Sequence, residues 1–434
     1  MKKHIKLLVV LGIILVESFS FYLFKGYKKD ALVYENYKIM PSSSGIAMML
    51  ETSVSSGNYE MTTRSEWPTE GYVFNANLSK CENGSELSWD NENKKVLMNG
   101  NKSDKCYVYF DVYVKQRFDQ SCNDNTLACH TAKLYTGTQG ANNIYYHDEN
   151  LTNGAGDNSY RFAGASDQVN NYVCFGSSTT PCPADNLYRI IGVFGDKVKL
   201  IKSDYATTAL LGADGDYSRM YTANNWDNSA YKGNNLANIA GYTWNYKNNT
   251  TINNSGGSNT WSTSLLNKTN LNTNFITNIG ADWAAKIAET TWKVGGNAFN
   301  NIAKQPAKIV YQNEIVSPVT TNTTDSKTEY RAKVGLIYAS DYGFAVASSV
   351  WTDTLNSYNG EAIKNVNWMY MGLLEWTISR DADYSDRAFR VSDTGRVYNF
   401  GASNALAVRP VFYLTSSVNY ASGSGSAADP ILVN

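Results

Sequence analysis

Apolar and polar positions alternate with a period of two along much of the chain, the signature of half-buried strands. Residues 106–114, Cys-Tyr-Val-Tyr-Phe-Asp-Val-Tyr-Val, form the clearest run, dense in β-branched and aromatic side chains. Shorter runs at 46–51, 71–78, 86–89 and 95–98, with hairpin-grade Asn83-Gly84 and Asn99-Gly100 turns, predict a small all-β module over 45–115. Further on, 144–148, 159–162 and 171–176 are β-type, and 187–194 with 197–203 reads as a hairpin turning at Gly195-Asp196. Four short segments near the end, at 377–379, 387–392, 396–400 and 407–414, predict a compact antiparallel meander. Pro410 interrupts the last of them, so that strand should carry a bulge or lie at an edge.

Twice the apolar period lengthens to that of a helix. Over 262–279, Leu265, Leu266, Leu271, Phe275, Ile276 and Ile279 share one broad face. Over 283–293, Trp283, Ile287, Ala288 and Trp292 do the same, and Gly295-Gly296 supplies a stop. The expected fold class is therefore α+β: an antiparallel sheet with two central helices and long loops, preceded by the small all-β module. The stretches 207–258 and 317–327 are polar insertions, and loops of such length inside a compact domain usually carry function.

The first 29 residues are a targeting segment. Lys2, Lys3 and Lys6 precede an apolar run over 7–24. That run is just long enough to span a bilayer, which makes it a signal-anchor and the membrane a partner. Alternatively 7–16 is the apolar region of a signal peptide, cleaved near Ser18 and Ser20. Either reading exports the remainder, as a single-pass cell-membrane protein with an extracellular C-terminal region or as a secreted one. Residues 30–44 read as a polar tether and 116–143 as a connector.

Cysteine usage agrees with export. Cys81 and Cys106, Cys122 and Cys129, and Cys174 and Cys182 fall as three local couples among turn-forming residues, and sequential pairing is the simplest arrangement. A zinc site would want close Cys-x-x-Cys knuckles or accompanying histidines. Only His130 and His147 lie outside the targeting segment, and both read as surface loop residues.

Net charge is −1 and no Lys/Arg cluster occurs beyond the first thirty residues, which argues against a nucleic-acid partner. No Gly-x-Ser-x-Gly elbow and no cofactor fingerprint is present, so neither a catalytic set nor a cofactor is expected. Asp214 and Asp216 look like half of a calcium loop whose remaining ligands are missing, so no metal is expected there. Glu361, Glu375, Asp381, Asp383 and Asp386 are interleaved with Arg380, Arg387 and Arg390, a pattern of salt-bridging rather than catalysis. Arg409, alone in an apolar strand, must pair with one of these acids or with backbone carbonyls.

The run from Trp376 through Asp393-Thr394-Gly395-Arg396-Val397 to Ala407-Val408-Arg409-Pro410-Val411 resembles the closing signature of a domain of unknown function. That domain is common in exported proteins of gut Firmicutes and Mollicutes. Matching segments lie upstream at 186–192, at 261–267 with 271–275, and at 335–344, so the resemblance covers roughly the last three fifths of the chain. More distantly the layout is similar to the C-type-lectin-like fold of formylglycine-generating-enzyme relatives and of diversified receptor tips. The resemblance implies a lectin-like domain over 144–434, with 187–194 and 407–414 in one antiparallel sheet. It also implies a cysteine-bounded β module in front. The paired C-terminal cysteines of the oxidising relatives are absent, since no cysteine follows Cys182.

In such a domain the long insertions leave the sheet on one side and carry binding. Tyr217, Tyr221, Trp226, Tyr242, Trp244, Tyr246 and Tyr384, set among Asn and Asp, are then the candidate ligand contacts. The competing role for Trp226 and Trp244 is to pin their own loops onto the domain. The function expected is a cell-surface binding protein or adhesin for a glycan or protein. The alternatives are a cell-wall or polysaccharide hydrolase using Glu361 or Glu375, and a non-catalytic envelope component.

Overall fold

The computed structural model describes residues 32–33, 45–62, 64, 66–68, 70–101, 103–113, 117–220, 229–246, 257–318 and 327–434. Contacts divide the chain into two compact units, meeting at Arg117 and Phe118. The targeting segment lies wholly outside the described residues, and among those described no helix is long and apolar enough to cross a membrane.

The first unit is all β. Tyr59–Met61, Ile46–Glu51, Cys106–Val112 and Tyr72–Phe74 lie side by side, with Lys80–Cys81 also on Cys106–Val112. A second sheet joins Leu32–Val33, Lys95–Asn99 and Glu86–Asp90, so part of the expected tether adds a strand. Alternation places Met48, Val108 and Phe110 of one sheet against Val96 and Met98 of the other in a single core. The Cys81–Cys106 disulfide clips adjacent strands of the larger sheet.

The second unit is α+β. Its main sheet has nine strands: β1 (Ile144–His147), β2 (Ser159–Phe162), β3 (Tyr172–Cys174), β4 (Leu187–Phe194), β5 (Lys197–Lys202), β6 (Val334–Gly335), β7 (Val411–Tyr413), β8 (Tyr420–Ser422) and β9 (Ile431–Val433). The spatial order is β6-β7-β5-β4-β3-β9-β8, with β2 pairing on β4 and β1 on β2. The expected β4–β5 hairpin is present, with a register shift after Ile190. There Gly192 lets β2 approach, since a Cβ on it would fall 2.1 Å from the Tyr160 carbonyl oxygen. Because β5 alternates, Leu200 and Lys202 face one side of the sheet while Lys199 and Ile201 face the other.

The helix expected over 262–279 is there, as a turn at Trp261–Thr263, a wide π-wound stretch Leu266–Phe275 and a last turn Ile276–Asn278. It packs on the sheet through Phe275, whose ring lies 5.6 Å from that of Phe412. The second expected helix is corrected. Only Ala281–Ala285 is helical, and Thr290–Lys293 is a strand pairing with Glu329–Ala332. Thr290, Thr291 and Trp292 favour a pleated surface, and Trp292 is buried while Thr291 is exposed.

The meander is also smaller than expected. Glu375–Asp381, Arg387–Val391 and Val397–Gly401 form a four-stranded sheet with Gly296–Asn297. The segment after them leaves it: Ala405–Leu406 pairs with Ala240–Thr243, and β7 sits between β6 and β5. Pro410 falls in the break between the two pieces, so its missing N–H interrupts no ladder. The segment 116–143, expected as a connector, contributes Leu127, Ala128, Ala132 and Tyr135 to the main core. The Cys122–Cys129 and Cys174–Cys182 disulfides close two loops of this unit.

Candidate functional site

Burying a charge is costly unless it is paired, so clusters of buried ions mark places where a fold has a specific reason to hold them. One such cluster floors a cleft of about 500 Å³, open mouth included, on the face of the main sheet that carries Lys199. Strand β2 delivers Arg161, β5 delivers Lys199, and the Ala339–Phe344 helix delivers Asp341. Lys199 Nζ donates to Asp341 Oδ2 at 2.5 Å, and Arg161 Nη1 stands 3.4 Å from Asp341 Oδ1. Arg161 Nη2 donates to Asp157 Oδ2 at 2.6 Å, and its Nε to Ser159 Oγ at 2.8 Å. All four charged side chains are buried or nearly so.

Aromatic rings enclose the cations. The Arg161 guanidinium lies 4.6 Å from the Phe194 ring centroid, 5.1 Å from Phe344 and 5.4 Å from Tyr311. The Lys199 ammonium lies 4.7 Å from Tyr338 and 5.3 Å from Tyr413. Burial lowers the Lys199 pKa, with Asp341 opposing. Burial also works against the Arg161 charge, but Asp157 and Asp341 outweigh it and the pKa rises. Asp157 loses by burial, yet beside Arg161 its pKa falls to about 2. The two basic and two acidic side chains thus pair within the cluster itself. Thr291, Lys293 and Ile315 line the wall, and Thr291 is exposed.

Behind the cleft Glu314 is fully enclosed. It accepts from Ser340 N at 2.7 Å and from Ser379 Oγ at 2.5 Å, and burial raises its pKa to about 7. With both oxygens engaged and the residue 2% exposed, it is a structural carboxyl rather than a proton donor to the cleft.

None of the five described residues among the seven aromatics read from the sequence lines this cleft. Tyr221 and Trp226 lie outside the described residues. Tyr242 and Trp244 are fully buried: the Tyr242 hydroxyl donates to Gly212 O at 2.7 Å, and Trp244 Nε1 to Thr377 O at 2.9 Å. Both anchor their segment on the core and present no surface to a ligand. Tyr217 is half-buried beside Tyr242, Tyr246 is half-buried, and Tyr384 is exposed with the Arg387 guanidinium 4.2 Å over its ring.

The acidic candidates disperse. Asp216 Oδ2 accepts from the Leu265 and Leu266 amides, each at 2.9 Å, while Oδ1 takes the Thr243 hydroxyl, so it caps a helix. Glu375 pairs with Arg409 through both oxygens, at 2.8 and 2.7 Å, and Arg409 also donates to Met369 O. Glu361 is exposed beside Lys364. His147 is not a surface residue: it lies in β1, fully buried, and its Nδ1 accepts from Ala155 N. Among the described residues, no group of three or more His, Cys, Asp or Glu could hold a metal ion. Of the missed residues Arg161 did leave a signal, set between Tyr160 and Phe162 as Arg409 is among apolar neighbours, whereas Lys199 reads as ordinary strand alternation.

No protein-family model, no curated protein and no solved structure matches this chain.

Proposed function

We propose that the chain is an exported, membrane-tethered cell-surface binding protein, and that residues 118–434 recognise a small hydroxylated, carbohydrate-like ligand in the Asp157–Arg161–Lys199–Asp341 cleft. The observation that carries this reading is the cleft's composition, buried ions of both signs beneath a rim of tyrosine rings. Sugar hydroxyls donate and accept at once, which suits alternating carboxylates and cations, and sugar C–H faces stack on aromatic rings. The pre-paired ions need no rearrangement to meet such a ligand, which lowers the cost of binding. A lectin-like architecture belongs to the same proposal. Its support is that early strands β4 and β5 and late strand β7 share one sheet.

Hydrolysis would need two carboxyls facing one ligand with separate roles. Asp157 and Asp341 are both engaged by cations, Glu375 is consumed by Arg409, and Glu361 stands apart from the cleft. Binding therefore accounts for the geometry better than turnover does. A glycan array probed with the purified chain from Asp30 onward tests this. The expected result is binding of a defined set of glycans that is lost in Thr291→Trp, which fills the mouth from an exposed position. Binding that survives the bulky variant unchanged, or no glycan binding, would reject the cleft as the site.

A further inference from the structure

Lys202 lies on the opposite face of the main sheet and departs from the pairing rule. It is 2% exposed, yet among the described residues no carboxylate and no hydrogen-bond acceptor meets its ammonium. Its strand register sets it beside Tyr188, whose ring centroid is 5.9 Å from the ammonium. Both side chains line a second pocket of about 560 Å³, with Asp185, Thr207, Asn186, Asn278, Leu210 and Ile279. The Tyr188 and Thr207 hydroxyls likewise have no hydrogen-bond partner among the described residues. A lysine held in no ion pair and two unengaged hydroxyls around one open cavity leave donors available to a ligand there.

We propose that this pocket binds the carboxylate of a small ligand, with Lys202 as its counter-ion and the Tyr188 and Thr207 hydroxyls as further donors. One lysine matches a monoanion, whereas a phosphate dianion would keep an uncompensated charge near Asp185. The Asn186 amide donates to Phe175 O, and the Asn278 amide to Ala209 O and Leu210 O. Their carbonyl oxygens remain as acceptors, so the ligand also carries a hydroxyl or amide donor. Leu210 and Ile279 cover its apolar part. The Cys174–Cys182 disulfide closes the loop that carries Gly176 at the rim. Burial lowers the Lys202 pKa, with Asp185 and Asp204 opposing, and a bound carboxylate would oppose that lowering further. This site is independent of the cleft described above.

Ligand-observed NMR titration of the chain from Asp30 onward with glucuronate, N-acetylalanine, inorganic phosphate and glucose tests the proposal. Both carboxylates should bind, at least tenfold more weakly to Lys202→Met, and the variant's Tm should not fall, because an unpaired buried charge has been replaced by an apolar isostere. Absence of carboxylate binding at millimolar concentration, tighter binding of phosphate, or equal binding to Lys202→Met would overturn it. Glucose reports on the other cleft alone and N-acetylalanine, which is not a sugar, on this pocket alone, which keeps the two sites distinguishable. Should the variant not fold, acylation of Lys202 in the unsubstituted chain, read by mass spectrometry, should slow with saturating glucuronate. Unchanged acylation would overturn the proposal as well.

Discussion

Arg409 was legible as a single residue. An arginine alone in an apolar run has to be neutralised where it is buried, and Glu375 does this through both oxygens. Removing one partner strands the other, so Arg409→Met should cost about 3–5 kcal/mol in urea unfolding, while Glu375→Leu with Arg409→Met should recover most of it. The same argument applies to Arg161 and Lys199. Their shared partner Asp341 was not legible, because it lies 180 residues from Arg161 and 142 from Lys199. Glu314 carries a pH signature. Its folded pKa of about 7 lies above the ordinary carboxyl value, so its contribution to stability falls as pH rises from about 4.5 to about 7, by up to ~3 kcal/mol. His147 works oppositely: burial holds its pKa well below the usual 6.5, and stability rises with pH towards that value. The two slopes mask each other. The stability difference between Glu314→Gln and the unsubstituted chain should therefore grow with pH across that window, and a constant difference in urea titrations would contradict this.

At the scale of elements, periodicity carried the β4–β5 hairpin and the helix through Leu266–Phe275, where apolar residues recur over many positions. It misled over 283–293, where Trp283 falls in a one-turn helix, Trp292 in a strand, and Ile287 and Ala288 between them. Short mixed segments fit both periods, and the partner strand Glu329–Ala332, distant in sequence, decides. Tyr242 and Trp244 of the 241–246 loop were read as candidate ligand contacts, with pinning the loop as the competing role of Trp244, and pairing with Ala405–Leu406 turns both inward. Trp244 also lies 4.9 Å from the Trp261 ring, so it ties this segment to the start of the helix. Trp244→Ala should cost about 3–5 kcal/mol by thermal or urea unfolding, with glycan affinity of the folded fraction unchanged. Loss of affinity without loss of stability would restore a ligand role to this residue.

At the scale of the molecule, the division into a cysteine-clipped β unit and a larger α+β unit follows turn signals, cysteine spacing and apolar runs, all local features. The cleft is not local. It joins Asp157, Arg161, Lys199 and Asp341 across more than 180 residues, through the β2–β4–β5 pairings and the packing of the Ala339–Phe344 helix on the sheet. No periodicity in one sequence encodes which distant segments become neighbours, and for that reason the aromatic-rich loops drew attention away from the sheet. The central claim is that ligand recognition resides in this cleft. Hydrogen–deuterium exchange with and without the strongest glycan found on the array tests it most directly. The account predicts slowed exchange in β2, in β5 around Lys199 and in 338–344; slowing confined to 240–246 and 379–384, or to the first unit, would contradict it.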